Sequence, residues 1–406
     1  MSDHAAAQVP VSKLWLWLYA AAWFGFWLMV MLPGQIMLAQ LARHIDPQNK
    51  VGLVSLFQGM LLTTIVLGVP VLGYLCDRTR LAWGRRRAWA LGGFAVASAA
   101  FIPMGAVEVV FINCVLLVLV GLGESAVLVA LSAMIADQVP VEQRGRASVA
   151  FGVPQVIALA AGMVVVTEIV DSVPLAWVVI GAVAGLCALP FLLGVAEPAP
   201  AAGAETVGTL RQNISPPSLQ NAGDYYWAMA GRVLINAGNL IGTFYLLYYV
   251  DDVLHRPDPD GAVLTLTLIY LAFCIVAGWL AGHISDALGH RKPLVVAGGG
   301  LQAAAALTLV AVATWPAAWV AAALLGLGYG TFLSVDQALT TDVLPSARTR
   351  ARDLGLINAA QHLPIAPFVG LVVLASTGEN YSALYLASAI VMIAGIWSIT
   401  RIRSVR

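Results

Sequence analysis

Apolar runs of about 20 residues recur along the whole chain, each long enough to cross a bilayer as a helix. Hydrocarbon offers no partner to backbone N–H and C=O groups, so a run of this kind must satisfy them within itself and fold as a helix. Composition agrees: 10% of the residues are charged and 60% are hydrophobic, whereas soluble domains carry about 25% charged residues. The chain reads as an all-α membrane protein with twelve spans. They are placed at 13–42, 51–76, 88–106, 109–138, 146–169, 175–195, 225–250, 261–285, 292–314, 317–343, 352–375 and 381–402, numbered helix 1 to helix 12. The net charge is zero, which points to no nucleic acid or other acidic partner. Cys76, Cys114, Cys187 and Cys274 are isolated and read as small buried hydrophobes, with no metal site among them.

The stretch 73–89 orients the spans. It carries one acid, Asp77, and five arginines, Arg78, Arg80, Arg85, Arg86 and Arg87. Basic loops between spans stay in the cytoplasm. With twelve spans both termini then lie on that side, and so do Lys13, Arg144, Arg146, Arg211, Arg291, Lys292, Arg348, Arg350, Arg352, Arg401, Arg403 and Arg406. Outer segments keep only Arg43, Lys50 and Arg256. The expected location is the cell membrane.

The same stretch returns half a chain later. Gly73 and Asp77 match Gly282 and Asp286, and Gly84-Arg-Arg-Arg87 matches Gly289-His-Arg-Lys292. A second repeat follows in the same order. Gly121-Leu-Gly123 matches Gly326-Leu-Gly328, Asp137-x-x-Pro140 matches Asp342-x-x-Pro345, Arg144-Gly-Arg146 matches Arg350-Ala-Arg352, and Gln155 matches Gln361. Two six-helix bundles are expected, at 1–196 and 225–406. The polar stretch 197–224, rich in Pro, Ala, Gly and Ser, reads as a flexible linker between them. Internal repeats of this kind are a mark of transporters.

On these motifs the chain resembles the major facilitator superfamily over essentially its whole length. Gly73-x-x-x-Asp77-Arg78 with Gly84-Arg-Arg-Arg87 looks like that family's signature between helices 2 and 3. The longer form, Asp-Arg-Thr-Arg-x-x-Trp-Gly-Arg-Arg-Arg, looks most like the glycoside–pentoside–hexuronide cation symporters and their sucrose-transporter relatives. The resemblance implies two pseudo-symmetric bundles around a cavity walled by helices 1, 4, 7 and 10. It also implies a cytoplasmic gate in which Asp77, in the outward-facing state, latches onto the start of helix 11 near Arg352, with Asp286 facing the start of helix 5 near Arg146. A carboxylate suits a helix N-terminus. Arg86 or Arg87 is expected to pair with Asp137, and Arg291 with Asp342. Gly73, Arg78, Arg144 and Arg350 complete the gating set.

Ionisable groups deep in the spans are Glu124 on helix 4, Arg232 on helix 7, Asp336 on helix 10 and His362 on helix 11. A central charge costs about 2.5–3.5 kcal/mol even on lenient insertion scales, so each needs a function or a partner. At about 1.5 Å of rise per residue, Arg232 and Asp336 fall at one depth. They read as a pair, either static or part of ion coupling. Glu124 has no evident partner, and a carboxyl shielded from water favours its neutral form and can exchange a proton. His362 is a further candidate relay. Related sodium-coupled symporters place carboxylates on helix 2; here that helix offers Ser55, Gln58, Thr63 and Thr64 and no acid, which favours protons or no coupling at all.

Amides are candidate contacts for a hydroxylated solute, because each both donates and accepts. They are Gln35, Gln58, Gln155, Asn236, Asn239, Gln302, Gln337, Asn358 and Gln361, some of which serve only to join helices. Trp23, Phe26 and Trp27 either stack on a sugar ring or pack against lipid and helix 5; Tyr245 joins Trp23 and Trp27 as a candidate contact. Trp15, Trp17 and the trio 225–227 read as an interfacial belt. Pro33-Gly34 breaks helix 1 as a gating hinge or a fixed kink.

The expected function is secondary transport of a small hydroxylated solute, a sugar or glycoside, by alternating access in symport with protons. The alternative is proton-coupled export of drugs or other amphiphiles. Helix 5 lacks the Gly-Pro-x-x-Gly-Gly run of such exporters. A membrane protein that senses without transporting fits poorly with motifs kept in both halves. No nucleotide loop or nucleophile motif suggests an enzyme, and no cofactor is expected. The expected state is a monomer.

Overall fold

The computed structural model describes residues 10–81, 83–140, 143–195, 217, 222–288, 291–345 and 350–404; at 136, 286, 288 and 350–352 it describes the backbone alone. Among the described residues, twelve helices are long and apolar enough to cross a membrane, and there is no strand. They are α1 (Lys13–Ile45), α2 (Lys50–Arg78), α3 (Arg85–Met104), α4 (Val110–Gln138), α5 (Arg144–Ile169), α6 (Val173–Gly194), α7 (Gly223–Asp252), α8 (Pro259–Leu288), α9 (Arg291–Ala311), α10 (Trp315–Asp342), α11 (Asp353–Thr377) and α12 (Tyr381–Thr400).

The chain divides into two compact units. Unit 1 is Met1–Met37 with Met60–Asn213, and unit 2 is Leu38–Gly59 with Ile214–Arg406. Within unit 1, α3 packs on α4 and α6, and α1 on α5 and α6. Within unit 2, α9 packs on α10 and α12, and α7 on α11 and α12. Adding six to each helix number carries one set of contacts onto the other. The repeat seen in the sequence is therefore a repeat of packing.

Glycines set the closest contacts. A Cβ on Gly93 would lie 2.7 Å from the Gly123 carbonyl oxygen, and one on Gly123 would lie 2.6 Å from that of Gly93. In unit 2 the pair Gly298 and Gly328 does the same, at 2.8 and 2.6 Å. The other glycine of each Gly-Leu-Gly faces a different neighbour: Gly121 meets Thr64 of α2, and Gly326 meets the Tyr270 carbonyl of α8. Hydrocarbon supplies no hydrophobic drive between helices, so close backbone approach must hold them. Gly123→Ala and Gly328→Ala should each cost about 1–3 kcal/mol through overpacking. Gly92, beside Gly93 but with nothing within 4 Å, should accept Ala at no cost. Thermal unfolding in detergent separates these outcomes.

Several boundaries differ from expectation. Gly84 adopts φ 110°, a backbone that side chains other than glycine resist, and α3 starts immediately after it. Arg85, Arg86 and Arg87 therefore form its first turn and are not a loop. Pro33-Gly34 does not break α1; the helix passes through one π-turn at Pro33–Met37 and continues to Ile45. That turn ends where unit 1 gives way to unit 2. Conversely, α11 is interrupted between Ala360 and Ile365, because Pro364 has no N–H and restricts the residue before it. α7 is interrupted at Tyr245.

Candidate functional site

The repeated arginine motif folds into matching clusters. In unit 1, Arg86 is nearly buried and sits between two acids: Nη1 lies 2.6 Å from Asp77 Oδ1 and Nε lies 3.0 Å from Asp137 Oδ2. Its Nη1 also points at Cys76 Sγ, 3.3 Å away. Arg85 Nη2 is 3.5 Å from Asp137. Arg87 instead donates to the carbonyls of Leu192 and Leu193, the last-turn groups that a helix C-terminus leaves open. In unit 2, Arg291 pairs with Asp342, and Lys292 donates to the carbonyls of Thr400 and Ile402 at 2.8 and 2.7 Å. Each motif thus ties its helix to an acid on one neighbour and to the end of another.

The remaining gating candidates are less engaged. Arg78 lies over the Tyr74 ring at 4.5 Å. Arg144 Nε reaches the Val139 carbonyl at 3.4 Å, and Arg146 is exposed. A Cβ on Gly73 would meet Val129 at an ordinary 3.7 Å, so no local crowding demands glycine there. The side chains of Asp286, Arg350 and Arg352, and most of the expected linker 197–224, lie outside the described residues. The Asp77 carboxylate pairs with Arg86; the Arg352 side chain at the start of α11, where its latch is expected, lies outside the described residues.

Two sets of ionisable groups stand inside the helices. In unit 1, Glu124 is 3% exposed, and neither carboxyl oxygen has a hydrogen-bond partner among the described residues. In unit 2, Arg232 Nη1 lies 3.3 Å from Asp336 Oδ2, with both side chains buried. Nη1 also donates to Gln337 Oε1 at 3.1 Å, and Nε to Gln361 Oε1 at 3.4 Å. Gln361 Nε2 is 3.5 Å from His362 Nε2. Asn236 donates back to the Arg232 carbonyl at 2.9 Å. Arg232 therefore gathers residues from α7, α10 and α11 into one polar centre. Gln337 is exposed there, while Asn236, Asn358, Gln361 and His362 are half-buried. Asn358 Oδ1 is shielded and has no partner among the described residues.

Other solute candidates are placed differently. Asn239 is buried and donates to Gln302 of α9 at 3.0 Å, a bond that joins two helices. Tyr245 is fully buried in unit 2; its hydroxyl lies 2.8 Å from Ser55 Oγ and 3.3 Å from the Pro367 carbonyl. Trp23 is 0% exposed, stacked on Trp27 at 5.9 Å and edge-on to Phe151 of α5 at 4.5 Å. Trp27 Nε1 donates to the Phe151 carbonyl at 3.1 Å. Both tryptophans thus pack against Phe151 of α5. Trp15 and Tyr225 are buried as well, so neither belongs to an interfacial belt; Trp17 is 75% exposed and can. Gln35 and Gln155 are half-buried in unit 1 and Gln58 is buried in unit 2.

A cluster in unit 2 was missed from the sequence. Arg43 bridges Asp251 and Asp260 at 3.3 and 2.9 Å, and Gln40 donates to Asp260 at 2.9 Å. Lys50 Nζ is 2.6 Å from Asp252, whose other oxygen accepts from Tyr381 at 2.8 Å. The buried Tyr248 hydroxyl donates to the Ala39 carbonyl at 2.9 Å. These bonds hold 38–59 onto α7 and α8, and Asp252 carries the link on to α12. The available signal was charge: the few basic residues outside the arginine motifs match an acid-rich stretch at 251–260.

The sequence matches the profile of the Major Facilitator Superfamily over residues 15–369 and again over 259–405. A search of curated proteins returns no match. Among solved structures, the nucleoside transporter NupG (D323A mutant) superposes with a TM-score of 0.77 at 11% identity, covering 96% of this chain and 100% of that one. A bacterial homologue of the human lysosomal transporter Spinster, inward-facing and unoccupied, superposes with a TM-score of 0.67 at 16% identity, covering 96% of each chain. At these identities the likeness is one of fold.

Proposed function

Because the chain belongs to the major facilitator superfamily and is a multi-pass membrane transporter rather than an enzyme, we propose that it is a secondary carrier for a small hydroxylated solute, a sugar or glycoside, moved by alternating access together with protons. The observation that carries this reading is the polar centre around Arg232. An apolar bundle gains nothing from burying a guanidinium, a carboxylate and several amides unless they serve a ligand or an ion. Gln337, Gln361 and Asn236 bond to Arg232 and bring to the ion pair the donors and acceptors that hydroxyl groups need; Asn358 adds a shielded amide oxygen one turn before Gln361 on α11. Nucleosides, which the structurally similar NupG is named for, are themselves glycosides and belong to the class. Glu124 is the proposed proton site, with Arg232, Asp336 and His362 coupling it to the solute. The arginine motifs and their acids act as gates, in a protein of the cell membrane that works as a monomer with both termini in the cytoplasm.

Proton movement in proteoliposomes tests this. A pH dye is sealed inside, and mono-saccharides, disaccharides and nucleosides are added outside. Symport acidifies the lumen for the transported class, and Glu124→Gln abolishes that signal. Solute flux that is never accompanied by protons removes the coupling and leaves Glu124 a structural acid. A response to a lipophilic cation, with silence across the sugars and nucleosides, replaces this reading with proton-coupled export.

A further inference from the structure

A groove of about 370 Å³ runs between α3 and α6 of unit 1. Leu91, Phe94 and Ser98 line it from α3, and Gly185, Leu189 and Leu192 from α6. Three- and four-residue steps put each set on one helix face. The α3 stripe begins one turn earlier with Arg87, whose guanidinium reaches the carbonyl of the groove residue Leu192 and lies 4.7 Å from the Trp83 ring. Five arginines, Arg78, Arg80, Arg85, Arg86 and Arg87, stand at this end of unit 1 against Asp77 and Asp137, so it carries a net positive charge. The groove is therefore hydrocarbon along its length and cationic at its head.

We propose that this groove binds an anionic phospholipid, with one acyl chain lying along α3 and α6 and the phosphate beside Arg87. The rim residues Leu186 and Leu189 are exposed, which leaves the hollow open on the side away from the bundle. In unit 2, Ile396 of α12 packs against Gly299 of α9, where a Cβ would come within 2.8 Å of it. A second copy of the chain fits less well. A two-fold contact brings the same patch of both partners together, and here that would set two arginine clusters side by side.

The test uses the full chain in liposomes of equal phosphatidylglycerol and phosphatidylcholine with identical acyl chains, extracted in mild detergent and weighed by native mass spectrometry. The wild type should retain phosphatidylglycerol over phosphatidylcholine by about five-fold, the size expected of one arginine near an anionic headgroup. Ala182→Trp fills the groove and should remove most of the retained lipid. Leu186→Asn places an amide at the rim without disturbing buried packing and should do the same, so a misfolded tryptophan variant does not decide the matter. Arg87→Gln should keep the lipid and lose the preference. Equal retention of the two lipids by the wild type overturns the proposal. So does retention unchanged in both groove variants, or a two-copy mass that Ala182→Trp abolishes.

Discussion

Replacing Asp336 by alanine should destabilise unit 2 by about 3–5 kcal/mol, the cost of leaving a buried charge without its partner. Asp336 is 3% exposed and Arg232 8%, at 3.3 Å, so solvent cannot take over the neutralising role. The amides of Gln337 and Gln361 accept from Arg232, but they supply dipoles and no compensating charge. Arg232→Met combined with Asp336→Leu removes both charges. It should recover most of the loss, since apolar replacements of a buried pair are often neutral or stabilising by about 1–4 kcal/mol. Unfolding in detergent measures the stability half of this cycle, and uptake into proteoliposomes measures the other. A stable double variant that no longer couples solute to protons places the pair in the transport cycle. A stable double variant that transports normally makes the pair structural, as does normal coupled uptake by Asp336→Asn.

Arg43→Glu should loosen residues 38–59 from the rest of unit 2. Arg43 answers Asp251 and Asp260 at once, so a carboxylate there meets two others. Like charges at about 4 Å repel by about 4 kcal/mol at an effective dielectric near 20. These side chains are 24–36% exposed, and screening reduces the figure to on the order of 1–2 kcal/mol. That corresponds to about a tenfold change in the opened population. Val54 is 0% exposed in the same segment. Val54→Cys should therefore react slowly with an impermeant maleimide in the parent and about tenfold faster with Arg43→Glu. Adding Asp260→Arg should slow it again by restoring one opposite-charge pair. High salt should speed labelling of the parent, since partly exposed pairs are screened. Labelling that ignores charge and salt alike would mean that apolar packing alone holds the segment.

Much of the architecture was legible in the chain. Twelve spans could be counted because each must satisfy its backbone locally. The duplicated Gly-Asp-Arg and Gly-Leu-Gly motifs announced duplicated packing, and the close pairs Gly93–Gly123 and Gly298–Gly328 occupy equivalent positions in the two units. The Arg232–Asp336 pair followed from helix rise, which set both at one depth, together with the family resemblance that put helices 7 and 10 around one cavity. What periodicity could not supply was the face of each helix. These helices are apolar on nearly all sides, so no polar face distinguishes interior from lipid. Trp23 could have faced a solute as well as Phe151, and Asn239 a cavity as well as Gln302.

Sequence by itself thus determined the class of fold, the number of spans, the two-fold repeat and the short list of ionisable groups that an apolar bundle must explain. Those follow from local rules: helix rise, backbone hydrogen bonding, and the cost of a charge in hydrocarbon. Only the tertiary structure decided that Leu38–Gly59 belongs with unit 2, that Arg43 and Lys50 meet acids some 200 residues away, and that Arg87 caps α6 while Arg86 takes the acids. Each is a choice among partners of equal chemistry. Such a choice is settled by which surfaces fit together, and no stretch of chain carries that information alone.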